Sequence, residues 1–140
     1  LIIDDSYNAS PLAMAVALDT LSTIPAGRKI AVLGDMLELG KFTKDAHEAI
    51  GKQASGIVDV LVTVGLRTKS MESAGAKEFY WFSDSKAAGE FLKEYIKKDD
   101  VVLVKGSQGT RMERVVEALM AHPEDASRLL VRQDSYWKKH

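Results

Sequence analysis

The sequence predicts an α/β protein, a Rossmann-like three-layer sandwich built on a mainly parallel sheet of five or six strands. Three observations carry that reading. Five short apolar runs rich in β-branched and aromatic residues recur along the 140 residues, separated by helix-length amphipathic stretches. The runs are nearly continuous instead of alternating, as expected when helices cover both faces of a sheet. Three of them break abruptly into polar or glycine-bearing loops, the position where open α/β sheets carry ligands.

The first strand is Leu1–Ile3, followed by Asp4-Asp5-Ser6-Tyr7-Asn8-Ala9-Ser10. Ser10 as N-cap, Pro11 at the first helical position, and Met14, Leu18 and Leu21 at helical spacing predict a helix over Pro11–Leu21. Ile30–Leu33 is the second strand and Thr43–Ser55 the second helix. Val58–Val64 is the third strand, with a shorter helical stretch around Thr68–Ala74. Phe79–Phe82, a helix over Ser85–Lys97, Val101–Val104 and a helix over Arg111–Ala121 complete the alternation, and Pro123 should end the last helix. Leu129-Leu130-Val131 fits a strand as well as a helix edge. Opening inside a strand, with no initiator Met and no leader, the chain reads as one domain of a longer polypeptide. It has a core over 1–122 and a carboxy-terminal extension over 123–140.

Composition excludes several function classes. A formal charge of −1 and the lack of a dense Lys/Arg stripe disfavour nucleic acid as a partner. No apolar run is long enough to span a bilayer. The chain contains no cysteine, which removes disulfides, thiolate chemistry and Cys-ligated zinc and fits a cytoplasmic protein. His47, His122 and His140 show no ligand spacing, so no metal site is expected.

Three loops carry the unusual residues. Lys105-Gly106-Ser107-Gln108-Gly109-Thr110 has the composition of an anion cradle, with glycines for close backbone approach, a lysine and a following helix N-terminus. It is not a P-loop, because Lys105 precedes the glycines. Thr110 and Glu113 are spaced as a capping box, which favours a structural role for Glu113. Asp5 and Asn8 offer acceptors and an amide suited to a ribose, an adenine edge or an amine, and equally suit a polar turn; Tyr7 beside them can roof the core. In Gly34-Asp35-Met36-Leu37-Glu38-Leu39-Gly40 the apolar residues form a lip that closes on a ligand or tuck onto the following helix, where His47 is more often structural than catalytic.

Taken together, Asp4-Asp5-Ser6-Tyr7-Asn8-Ala9-Ser10-Pro11, Gly34–Gly40 with His47 downstream, and Val104-Lys105-Gly106-Ser107 followed by Met112-Glu113 resemble the carboxy-terminal domain of the Mur ligases, from Leu1 to about Met120. Within that family the pattern looks like members that join D-alanyl-D-alanine to UDP-N-acetylmuramoyl-tripeptide. The resemblance implies ATP-dependent amide ligation in peptidoglycan synthesis, in which ATP phosphorylates the tripeptide carboxylate and the dipeptide amine attacks the acyl phosphate. It also implies that the P-loop and most of the Mg2+ site belong to a central domain, and the UDP-sugar site to an amino-terminal one, neither of them in this chain. The carboxy-terminal domain would close over the nucleotide and present the dipeptide, inactive alone. Residue by residue, the resemblance puts Asp5, Tyr7 and Asn8 at the adenosine side of ATP. It puts Lys105, in a catalytic role, with Gly106, Ser107 and Glu113 near the dipeptide and reacting carboxyl, and Asp35 at the mouth between. Two positions depart from the family pattern: Ser10 stands where Asn usually precedes the Pro, and Gln108 where an Arg is common.

Other readings are another Mur or folylpolyglutamate-type ligase domain, a generic nucleotide-binding module, and a phospho-receiver. Asp4, Asp5 and Lys105 occupy a receiver's signature places, but Val64-Gly65-Leu66 supplies no acceptor aspartate after the third strand.

Overall fold

The structure, a computed structural model, describes residues 1–120. Its elements run β1 (Ile2–Asp5), α1 (Pro11–Ser22), β2 (Arg28–Gly34), α2 (Thr43–Ser55), β3 (Val60–Val64), a 3-10 segment (Arg67–Ala74), β4 (Glu78–Phe82), α3 (Ser85–Tyr95), β5 (Asp100–Lys105) and α4 (Glu113–Leu119). All four strand pairings are parallel, in the order β1-β5-β2-β3-β4. Among the described residues the sheet has five strands; Pro123 and Leu129-Leu130-Val131 lie outside them.

Continuous apolar strands serve two cores because their side chains alternate between faces. In β2, Ala31 and Leu33 join Met14, Leu18, Leu21, Ile50 and Ala54 under α1 and α2, whereas Ile30 and Val32 join Ala88, Leu92, Val115 and Val116 under α3 and α4. The sheet is therefore covered on both sides, as the unbroken runs require. The chain steps from β1 past β5 to β2, β3 and β4 in one direction and returns to β5 in the other. Right-handed crossovers in opposite directions put their helices on opposite faces and open a crevice where the direction reverses. That reversal places the carboxyl ends of β1, β5 and β2 side by side.

Helix α1 begins as its sequence requires: the Ser10 hydroxyl accepts from the Ala13 N–H at 3.1 Å and Pro11 stands at the first helical position. Its Met14, Leu18 and Leu21 are fully buried, each contributing about 1.5–3 kcal/mol. Other boundaries differ from expectation. Val58 is not in β3; its N–H caps α2 on the Ala54 carbonyl at 2.9 Å. Helix α3 stops at Tyr95 instead of Lys97 because Ile96 is already extended, and α4 begins two residues late, at Glu113. The stretch near Thr68–Ala74 is a 3-10 segment, ended by Gly75 at φ 92°.

The amino-terminal edge of the sheet is clamped by an ion pair. Arg28 grips Asp100 through Nη2–Oδ2 at 2.8 Å and Nε–Oδ1 at 3.1 Å, and the Lys97 N–H donates to Oδ2 at 2.8 Å. Burial pushes the Asp100 carboxyl up, but the Arg28 and Lys97 hydrogen bonds and the guanidinium charge outweigh it and hold the carboxyl below its ordinary range. A carboxylate whose folded pKa is depressed contributes stability that is complete above its unfolded value, about 3.9, and is lost as pH falls through the folded value. Urea midpoints of the wild type should therefore fall steeply below about pH 4, whereas Asp100→Asn should be less stable at pH 7 and show a shallower acid limb. Parallel acid limbs in the two proteins would remove Asp100 from this account.

Candidate functional site

Three loops meet at the carboxyl edge, and Ser107 ties them. Its N–H donates to the Asp35 carbonyl at 2.9 Å, its hydroxyl donates to the Ala9 carbonyl at 3.2 Å, and the same oxygen accepts from the Leu37 N–H at 2.9 Å. The Ser107 carbonyl in turn accepts from Thr110 N–H and Oγ1, at 2.9 and 2.5 Å. One buried serine thus satisfies backbone groups from the β1–α1 and β2–α2 loops as well as its own.

The β1–α1 loop is a polar turn internally. Asp4 Oδ1 accepts from the Ser6 N–H and hydroxyl at 3.1 and 2.5 Å, and Asn8 Oδ1 accepts from the Ala9 N–H at 2.9 Å. Tyr7 does not roof the core; it is 62% exposed. The anchor of this loop comes from β5, where Lys105 Nζ donates to Asp5 Oδ2 at 2.8 Å and to the Asn8 carbonyl at 2.9 Å. The lysine side chain is 4% exposed and that of Asp5 47%. A buried ammonium must be paired, so Lys105 is committed to its own protein on two bonds, where its loop composition had suggested a free charge for an anion.

The glycines are likewise spent internally. A Cβ on Gly106 would lie 2.9 Å from Cα of Gly34 and 2.6 Å from Met112 Cγ, so β2 and β5 approach each other, not a ligand, through these positions. The expected capping box does not form. Thr110 closes a 3-10 turn over Gln108–Thr110, Arg111 follows in the left-handed region at φ 55°, and the fully buried Glu113 accepts from Arg111 Nε at 2.5 Å. Glu113 is a buried ion-pair partner, and the helix N-terminus expected beside Lys105 is displaced down the chain.

In the β2–α2 loop Met36 is fully buried and Leu39 packs on the core under α1 and α2, so the apolar residues tuck inward. His47 is structural: Nδ1–H donates to the Thr43 carbonyl at 2.6 Å and Nε2 accepts from the Met36 N–H at 3.0 Å, partners that assign the neutral tautomer. Asp35 is buried, its Oδ1 accepting from the Thr68 N–H at 3.0 Å and its Oδ2 from Arg67 Nη1 at 3.3 Å. No sequence motif singles out Arg67 or Thr68 as partners of Asp35. Their signal was Gly65, which sits at φ 107° and whose Cβ would stand 2.4 Å from the Asp35 carboxyl carbon; only glycine permits that approach.

Clefts open on both sides of the Leu37 lip. One, about 210 Å3, lies among Asn8, Glu38, Ser107 and Gln108; the other, about 340 Å3, among Asp35, Gly65, Arg67, Asp84 and Arg114. A larger groove of about 630 Å3 runs between β1 and α1, apolar at Leu12 and Val16 and polar where Asp5 and Lys105 reach it. Among the described residues no group of three or more His, Asp or Glu side chains is placed to hold a metal ion, and no helix is long and apolar enough to cross a membrane. The receiver pattern fails on topology as well: among the described residues β1 with its two aspartates pairs only with β5, at the edge of the sheet, and Gly65-Leu66-Arg67-Thr68 directly after β3 contains no carboxylate.

Residues 1–108 match the family model for the glutamate ligase domain of Mur ligases. The UDP-N-acetylmuramoyl-tripeptide–D-alanyl-D-alanine ligase of Escherichia coli is 36% identical over 122 residues, covering 85% of this chain and 26% of the relative. The enzyme of the same name from Bacillus subtilis is 33% identical over 129 residues, covering 87% and 28%. Among solved structures, the MurF ligase of Thermotoga maritima in complex with ADP is similar at a TM-score of 0.75 and 33% identity, covering 89% of this chain and 29% of that one. The chain thus spans about a quarter of the length of these relatives.

Ser107→Ala would leave the Leu37 N–H and the Ala9 carbonyl without their partner, which should lower the unfolding free energy by about 1–3 kcal/mol in a urea titration. A loss no larger than that of an exposed Ser→Ala change, such as at Ser73, would show that the hydroxyl does not hold the loops.

Proposed function

The chain belongs to the Mur ligase family, and from that membership we propose that it is the carboxy-terminal domain of a cytoplasmic, ATP-dependent ligase that joins D-alanyl-D-alanine to UDP-N-acetylmuramoyl-tripeptide in peptidoglycan synthesis. The observation that carries the reading is the likeness, at a TM-score of 0.75 over 89% of this chain, to a ligase solved with ADP. Supporting it, the three loops that bear the family resemblance converge on one edge.

When bound, ATP supplies the phosphoryl group that activates the tripeptide carboxylate. The residues present suit the adenosine end of such a ligand. Among the described residues the exposed Asn8 side chain uses only its oxygen, leaving its amide N–H donors for a ribose or base edge, and the exposed Tyr7 flanks it. Mg2+ and the phosphates fall to the ligase's other domains. Lys105 fixes the Asp5–Asn8 loop, so its contribution is to hold the nucleotide grip in place. Gly106 and Ser107 close the floor of the edge on which the dipeptide is presented, with Asp35 at its mouth. An edge that binds and orients reactants, without a nucleophile and base of its own, contributes by proximity, which is worth several kcal/mol of barrier when geometry is held.

In the full-length ligase, Asn8→Ala should raise the KM for ATP more than that for the dipeptide; the reverse pattern would assign the loop to the dipeptide. Lys105→Met should cost about 1–3 kcal/mol of stability and slow ligation, with the ATP KM rising alongside. A fall in kcat with an unchanged ATP KM would instead put the ammonium on the reacting carboxyl. Chain 1–140 alone, given ATP, Mg2+ and both substrates, should show no turnover, and measurable ligation by it would overturn the division of labour.

A further inference from the structure

Glu38 is the strained residue of this edge. Its φ is 64°, in the left-handed region that favours glycine, and two residues later the same loop uses Gly40 at φ 56°. The other non-glycine residues with positive φ among those described are Asp99, a type that tolerates this region, and Arg111, which is buried on Glu113. Strain at Glu38 persists because the preceding backbone is fixed at two points: the Met36 N–H on His47 Nε2 and the Leu37 N–H on Ser107 Oγ. The loop therefore carries a side chain where a glycine would sit more easily, and holds it in place.

That side chain is exposed, lines the 210 Å3 cleft with Asn8, Ser107 and Gln108, and makes no hydrogen bond or ion pair among the described residues. Every other carboxylate around this edge is engaged: Asp4 with Ser6, Asp5 with Lys105, Asp35 with Arg67 and the Thr68 N–H, Asp84 with the Ala87 N–H, and Glu113 with Arg111. A cation entering the cleft meets Glu38 as the carboxylate without a partner. We propose that Glu38 anchors the free ammonium of the incoming amine substrate, holding that nitrogen at the three-loop junction before it is presented to the activated carboxyl. This rests on the ligase reading above, in which the amine substrate is D-alanyl-D-alanine. Glu38 is on this account a positioning residue, and it distinguishes an amine-bearing ligand from an N-blocked one.

The test uses the full-length ligase. Glu38→Gln should raise the KM for D-alanyl-D-alanine by about tenfold or more with the ATP KM unchanged, the loss expected for one hydrogen bond between charged groups. Glu38→Gly should raise it equally while the thermal midpoint stays level or rises, because glycine relieves the backbone. As competitors of ligation, N-acetyl-D-alanyl-D-alanine should be much weaker than a non-reacting dipeptide with a free amine in the wild type, and the two should converge in Glu38→Gln. An unchanged dipeptide KM, an effect confined to ATP, or equal inhibition by both competitors in the wild type would each overturn the proposal. A wild-type enzyme that ligates a different amino acid would sink the dipeptide reading alone. The anchor would then stand if Glu38→Gln raises the KM of that amino acid, and fall if it does not.

Discussion

A single buried hydroxyl ties together the loops at the carboxyl edge of the sheet. Parallel strands deliver their loops to one side of the sheet, and each loop arrives with backbone N–H and C=O groups that cannot be left dry. Ser107 answers that constraint by donating to Ala9 and accepting from Leu37, while its own N–H reaches Asp35. The β1–α1, β2–α2 and β5–α4 loops are therefore one polar unit. The strand order makes this possible, since only with β5 between β1 and β2 does a residue just past β5 face both neighbouring loops.

Around that junction four further buried side chains are paired in the same manner. Lys105 is satisfied by Asp5 and the Asn8 carbonyl, His47 by Thr43 and Met36, Asp35 by Thr68 and Arg67, and Arg111 by Glu113. Pairing matters more here than the strength of any one bond, because an orphaned buried donor or acceptor costs more than a made bond returns. Gly34, Gly65 and Gly106 let the backbones come close enough for these contacts. The result is a preorganised floor from which Tyr7, Asn8 and Glu38 project, an arrangement suited to holding reactants in register.

The fold was legible because its signals are local. Continuous β-branched runs, the Ser10-Pro11 start of α1 and the helical spacing of Met14, Leu18 and Leu21 each act within a few residues, and nothing in the tertiary structure overrides them. The site was legible as to place and less so as to partners. Lys105 reads as a free charge in its own loop, yet its acceptors lie about a hundred residues away in the first loop, beyond any local pattern. The Thr110–Glu113 spacing imitates a capping box, but the left-handed turn at Arg111 delays the helix and gives Glu113 to the arginine. Asp35 could not be matched to Arg67 and Thr68 without knowing that Gly65 turns the chain under it.

Native-state hydrogen exchange on the Leu37 and Ser107 amides tests the junction most directly. Both N–H groups belong to loop residues, and both are hydrogen bonded at 2.9 Å across the joined loops. If the three loops form one unit, the two amides should be protected and should open with the same free energy, rising together with denaturant stability. A Leu37 amide that exchanges at the unprotected rate while Ser107 stays protected would show that the β2–α2 loop moves on its own, and the account of a tied, preorganised edge would be wrong.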